Sequence, residues 1–364
     1  VRGMTVGVSG RRTVEVAEPV LRVQDLGTVA RGTALHGVGL TVGRGELTAL
    51  MGPSGSGKTA LLRAIAGLDR VSRGRVMIGG RDVTALPPED RGIGFVFDSP
   101  HLFDHLTVKG NVGFGLRLPK EVAHARVDEM LALLGLTDVA ARSTAELTDA
   151  QRRRTAVARA LAPAPTLLLV DAARPAFEPA TARALARLLL DLQRRLRIAT
   201  LMVAEEGEEV LTTADRLVIL RDGRVEQEAP PVEVYRRPAT LFAAGCLGTM
   251  NFLPGVVSGI NKVRIGKIEL RCPSRLPSGT RVTLCLRPED VNVRGAGGVN
   301  TLHVLVRELE FLGPLYRVKL AVHGIDQPVL AFFSANLVRD LGLQAGISVP
   351  VALPPEHLRL FPEG

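Results

Sequence analysis

Residues 52–59 read GPSGSGKT. Gly52 and Gly57 bracket four residues and are followed by Lys58 and Thr59. That spacing suits the chemistry of a bound polyphosphate. The glycines let backbone N–H groups turn inward around an anion, a lysine reaches the outer phosphates, and the hydroxyl of the last residue ligates Mg²⁺. The candidate nucleotide-binding residues are therefore Gly52, Pro53, Ser54, Gly55, Ser56, Gly57, Lys58 and Thr59. A second group is expected where TLLLVD, residues 166–171, ends a continuous apolar run on Asp171. An acid at the tip of a buried strand can hold Mg²⁺ through water; it can also cap a following helix. A second acid, Asp98, closes the run FVFD at 95–98. Carboxylates bind Mg²⁺ readily, but while ionised they have no hydrogen to donate to a phosphate.

These residues need a strand before the glycine loop and a helix after it. ELTALMG (46–52) supplies the strand, and TALLRAIAGL (59–68) has the apolar spacing of the helix. Such a helix directs the positive end of its dipole at the anion. Upstream, VLRVQDL (20–26) and LHGVGLTV (35–42) read as strands. RGRVMIGGRDV (73–83) reads as a hairpin with a Gly-Gly turn, and RLVILRDGRVEQ (216–227) as one with an Asp-Gly turn. The stretch from about 100 to 160 is helix-rich, with EVAHARVDEMLALLGL (121–136) apolar on one face. A long amphipathic helix is expected over 181–196 and a buried strand over 198–205. Strands alternating with helices predict an α/β domain with a mainly parallel sheet. From about 250, short alternating runs separated by Gly, Pro and Asn predict a small all-β barrel or sandwich.

The expected organisation is a flexible tail at 1–18, an α/β domain at 19–245 with a helical subdomain at about 100–160, and a β domain at 252–362. The length of 364 residues agrees with two domains. A 46% hydrophobic, 23% charged composition excludes wholesale disorder. The net charge of +9 is spread without long basic runs or interleaved aromatics, so nucleic acid is not expected as a partner. The three cysteines, Cys246, Cys272 and Cys285, have neither metal-ligand spacing nor an even disulfide set, and reduced thiols are expected. No apolar stretch approaches the roughly 18 residues that span a bilayer.

In order and spacing, the chain resembles the ATP-binding subunits of ABC importers. The likeness runs through residues 47–68, ELTDAQRRRTAVARALAPAPTLLLVD (146–171), ADRLVILRDGRVEQ (214–227) and MNFLPG (250–255). LRPEDV (286–291) and ELEFLG (308–313) resemble the TOBE-type, OB-like regulatory domain of sugar, spermidine, iron and sulfate importers. The resemblance implies a P-loop NTPase fold followed by an OB-like β domain, with ATP and Mg²⁺ as cofactors. It also implies transmembrane permease partners, a second nucleotide-binding subunit in a head-to-tail dimer, and a place on the cytoplasmic face of the membrane. Segment 101–116 resembles the part that receives a permease helix, and Arg154 and Arg159 match a structural helix behind the signature loop.

Carried over position by position, the family's chemistry is altered. Where the family has a glutamine touching Mg²⁺ and the attacking water, this chain has Asp98. The signature loop L-S-G-G-Q becomes Leu147, Thr148, Asp149, Ala150 and Gln151. The glutamate that polarises water is replaced by Ala172, and the histidine at the terminal phosphate by Glu205. The adenine-stacking aromatic falls near Ala30, the second hydroxyl of the loop is Ala60, and an interface aspartate is Glu178. The replacements cluster on groups that handle the terminal phosphate and water, so the expected activity is ATP·Mg binding with weak or absent hydrolysis. An active importer ATPase using Asp98 or Glu206 as base, and a non-transport regulator sensing ATP or a solute, remain the alternatives.

Overall fold

The computed structural model of the chain describes residues 18–28, 33–171, 179–205, 207–293 and 298–363. Two compact units emerge: one runs through Glu205 and resumes over Thr212–Pro230, the other comprises Glu206–Leu211 and Pro231–Gly364.

The elements of the first unit are β1 (Leu21–Thr28), β2 (Val38–Val42), β3 (Leu47–Met51), α1 (Lys58–Ala66), β4 (Val71–Ile78), β5 (Arg81–Asp82), β6 (Ile93–Val96), α2 (Val108–Gly113), α3 (Lys120–Leu133), α4 (Asp149–Leu161), β7 (Leu167–Val170), α5 (Pro179–Leu196) and β8 (Ala199–Val203). Helix α6 (Gly207–Thr213), whose residues up to Leu211 belong to the second unit, precedes the first unit's hairpin of β9 (Arg216–Arg221) and β10 (Arg224–Ala229). Six strands form one sheet in the order β10-β9-β3-β8-β7-β6. All its pairings are parallel except that of β10 with β9.

Strand β7 explains why this sheet was readable as a continuous apolar run. All four of its residues are buried. Leu167 and Leu169 point into one core with β1, β2, β4 and α1, while Leu168 and Val170 point into the other with α2, α3, α4 and α5. Alternation places successive side chains on opposite faces, and here both faces are covered. The N-terminal strands form a separate antiparallel sheet, β2-β1-β4-β5. Their half-polar patterns account for this: β1 alternates buried Leu21 and Val23 with exposed Arg22 and Gln24, as a one-sided sheet requires.

The second unit holds α7 (Pro231–Arg236), α8 (Leu241–Cys246), α9 (Ala335–Asp340) and the strands β11 (Asn251–Gly259), β12 (Lys262–Ile265), β13 (Ile268–Arg271), β14 (Arg281–Leu286), β15 (Thr301–Phe311), β16 (Leu315–Val322), β17 (Val329–Ser334), β18 (Ser348–Ala352) and β19 (Arg359–Pro362). They make two antiparallel sheets, β13-β12-β11-β14-β19 and β17-β16-β15-β18, enclosing one aliphatic core. Buried Asn251 ties the sheets together. Its amide donates to the Leu286 and Leu330 carbonyls, and its Oδ1 accepts from Leu330 N–H at 2.7 Å. Among the described residues no helix is long and apolar enough to cross a membrane.

Candidate nucleotide site

The parallel sheet positions the site. The carboxyl ends of β3, β6, β7 and β8 lie side by side, and each is followed by a residue singled out above. Ligands of open parallel sheets gather at this edge. Strand β3 feeds directly into the glycine loop, and Gly57 caps α1 with φ of 103°. Gly52 makes the closest approach in the loop. A Cβ there would stand 2.1 Å from the Leu220 carbonyl oxygen and 2.7 Å from Ser56 Oγ. The loop is held from outside as well. Gly223 N–H donates to the Ser56 carbonyl at 3.0 Å, and Thr33 Oγ1 donates to the Gly55 carbonyl.

Lys58 folds back over this loop, with Nζ donating to the carbonyls of Gly52 (2.8 Å) and Pro53 (2.9 Å). It is only 9% exposed. Burial lowers its pKa, while the charges of Glu205 and Asp171 act in the opposite direction. The fold therefore brings Lys58, Asp171 and Glu205 within electrostatic reach of one another. Asp171 follows β7, is buried, and its N–H donates to the Val96 carbonyl at 2.8 Å. Glu205 is exposed beyond β8, where Ala204 N–H bonds the Leu50 carbonyl. Pro53, Ser54, Gly55 and Thr59 are exposed at the loop surface, and Ala60 lies on the first turn of α1.

The residues fit a polyphosphate with its metal. Ser56 Oγ is buried with no hydrogen-bond partner among the described residues, and the space beside Gly52 accepts no side chain. Lys58 Nζ holds carbonyls that it can exchange for phosphate oxygens. Thr59 and Asp171 could hold Mg²⁺, whose charge would offset that of the phosphates.

Asp98 sits two residues beyond β6 and is exposed; its Oδ1 accepts from Ser99 N–H at 2.7 Å. Its carbonyl accepts from Arg153 Nη1 at 3.1 Å, which joins the loop after β6 to α4. The five residues 147–151 open α4. Leu147 is buried, Thr148 is the N-cap, and a capping box pairs Thr148 with Gln151. Asp149 and Ala150 occupy the first turn, where an acid complements the helix dipole. Ala30, Ala172, Glu178 and Glu206 lie outside the described residues.

One supporting residue escaped the sequence reading. Buried Arg91 donates to four carbonyls, those of Thr84, Leu86, Ala64 and Ile65, at 2.8–3.0 Å. The last two end α1, so Arg91 anchors the helix whose other end forms the site. No local motif marks it, because its partners lie up to 27 residues away.

Fold and loop together define a P-loop nucleotide-binding protein. The ABC transporter family profile matches residues 35–174, and the TOBE domain profile matches 284–361. The chain is 39% identical over 341 residues to the "Fe(3+) ions import ATP-binding protein FbpC 2" of Rhizobium meliloti, covering 89% of this chain and 86% of that protein. It is 40% identical over 335 residues to the "Sulfate/thiosulfate import ATP-binding protein CysA 2" of Chromobacterium violaceum, covering 91% and 92%. Among solved structures it is similar to cbiO1 of Clostridium perfringens, part of the ABC transporter complex cbiONQ, with a TM-score of 0.54 at 27% identity over 61% of this chain and 92% of that one. It is also similar to the dimeric ABC transporter cassette MJ0796, with a TM-score of 0.51 at 27% identity, over 58% and 98%. The chain belongs to the family of ATP-binding subunits of ABC importers.

Proposed function

We propose that the protein is the ATP-binding subunit of an import system for an inorganic ion of the iron or sulfate class, and that it binds ATP·Mg while hydrolysing it weakly or not at all. It acts at the cytoplasmic face of the membrane, on permease subunits, as a head-to-tail homodimer. The relatives' import of Fe³⁺ and sulfate or thiosulfate supports the ion class, and the dimeric cassette supports the pairing.

The observation that carries the reading is the composition of the sheet edge. The inner-phosphate side keeps Lys58, Thr59, Asp171 and a buried Ser56 hydroxyl without a hydrogen-bond partner among the described residues. The terminal-phosphate side offers Glu205, an acid within electrostatic reach of Lys58, in place of a hydrogen-bond donor. Ala172 has no basic atom with which to take a proton from water, and loss of a positioned base typically lowers the rate by about 10²–10⁴. When bound, the metal supplies charge compensation. The chain's own residues bind and orient the phosphates through Lys58 and the loop amides, and the position that holds the family's base is an alanine, Ala172.

The test is a gain of function. Ala172→Glu with Glu205→His restores the two lost groups, and turnover with the permease present is expected to rise by roughly 10²–10⁴. Wild-type turnover already equal to that of the double variant would refute the reading.

A further inference from the structure

The glycine loop is gripped from outside by two elements far from it in sequence. Thr33, in the segment between β1 and β2, donates from Oγ1 to the Gly55 carbonyl. Gly223, in the turn between β9 and β10, donates its N–H to the Ser56 carbonyl at 3.0 Å. The two elements also hold each other. His36 N–H donates to the Gly223 carbonyl at 2.9 Å, and a Cβ on Gly223 would stand 2.0 Å from the Ala34 carbonyl oxygen. The segment carrying Thr33 is tied down in turn by Leu35, which is buried and donates its N–H to Thr28 Oγ1 of β1 at 3.3 Å. In a trans peptide the carbonyl of one residue and the N–H of the next point in opposite directions. Holding the Gly55 and Ser56 carbonyls outward therefore turns the Ser56 and Gly57 N–H groups inward. Ser56 N–H meets the Pro53 carbonyl at 3.1 Å, the same carbonyl that Lys58 Nζ reaches at 2.9 Å. Glycines flank both peptides, with φ of 80° at Gly55 and 103° at Gly57. Glycine tolerates many backbone conformations, so the loop's own residues do not lock these peptides.

We propose that Thr33 and Gly223 are positioning residues for the phosphates. They act through the Gly55 and Ser56 carbonyls and set the direction of two loop amides before the anion arrives, so that less ordering remains to be done on binding. The consequence for ATP rests on the nucleotide reading of the loop. The brace itself rests on the hydrogen bonds alone.

Thr33→Val keeps the branched shape and removes the donor. In the full chain without nucleotide, hydrogen exchange at amides 54–57 is expected to quicken about fivefold, the size of one neutral hydrogen bond. Calorimetry is expected to find ATP·Mg and inorganic tripolyphosphate each bound about fivefold more weakly. Thr33→Ser restores the donor and with it the wild-type values. Gly223→Ala displaces the second donor and weakens both ligands at least as much. Wild-type exchange in β7 and β8 certifies that each variant is folded. The equal loss for both ligands is what a brace on the phosphate loop requires. A loss confined to ATP would assign Thr33 to the base or ribose and overturn the proposal, as would unchanged exchange at 54–57 in Thr33→Val. A wild-type protein that binds neither ligand refutes the nucleotide reading, and the exchange at 54–57 still decides the brace.

Discussion

Gly52→Ala is the sharpest perturbation of the site, and its size follows from three contacts. The added Cβ would meet the Leu220 carbonyl oxygen at 2.1 Å, its carbon at 3.1 Å and Ser56 Oγ at 2.7 Å. Strand β9 carries Leu220 and is paired with β10 on one side and β3 on the other, so the oxygen cannot retreat without breaking a ladder. Ser56 is held too, by Pro53 O accepting its N–H and by Gly223 N–H on its carbonyl. Overpacking in such a setting costs about 1–3 kcal/mol, and a contact this short lies at the upper end. The lost freedom of the unfolded chain returns about 0.4–1 kcal/mol. The net of about 2 kcal/mol corresponds to a midpoint lower by roughly 4–8 °C, at about 2–4 °C per kcal/mol for a unit of this size. Thermal unfolding with and without ATP·Mg reads both consequences, because the displaced loop also loses the stabilisation that ligand confers on the wild type. Gly55→Ala is the control: its Cβ meets nothing within 4 Å, and only φ of 80° opposes it, so its midpoint falls by less. A Gly52→Ala protein with the wild-type midpoint and the wild-type response to ATP·Mg would refute the reasoning.

Three further outcomes are expected. Arg91→Met removes the donor shared by these four carbonyls and destabilises the first unit by about 1–3 kcal/mol, read as a lower denaturation midpoint; an unchanged midpoint would contradict the anchoring role. Burial pushes the Cys272 thiol up to about 11 and the Cys285 thiol up to about 12. Both thiols therefore stay protonated at pH 8, and half-buried Cys246 is alkylated first by iodoacetamide in peptide mapping. Glu205→Gln removes a charge near Lys58 and the incoming phosphates, and calorimetry should find ATP bound about fivefold tighter, from roughly 1 kcal/mol of relieved repulsion at solvent dielectric.

The parts of this protein that the sequence makes legible are those written in consecutive residues. The glycine loop is contiguous, the approach to Asp171 is a four-residue apolar strand buried on both faces, and both hairpins carry their own glycine turns. The parts that stay hidden depend on distant pairings. Strand β1 reads as a strand, but its partners β2 and β4 are set by a core shared with α1, so membership of a second sheet is not a local property. Arg91 looks like any arginine until residues 64, 65, 84 and 86 present their carbonyls to it. Asp98 and Arg153 lie 55 residues apart. Read singly, Asp98 suggests a metal ligand; the hydrogen bond from Arg153 to its main-chain carbonyl becomes visible only when α4 is packed against the loop. Asp149 likewise gains a local purpose once it is placed in the first turn of a capped helix.

The central claim is that the phosphate cradle is retained while the groups that would cleave the terminal phosphate are missing. The most direct measurement is a single-turnover experiment with terminally labelled ATP·Mg, protein in excess and the permease present, in which bound nucleotide and released phosphate are followed together. The account predicts that label is captured by the wild type, lost from Lys58→Ala, and held as intact ATP far longer than the second or less typical of working enzymes. Release of phosphate at about 1 s⁻¹ or faster by the wild-type protein would contradict it.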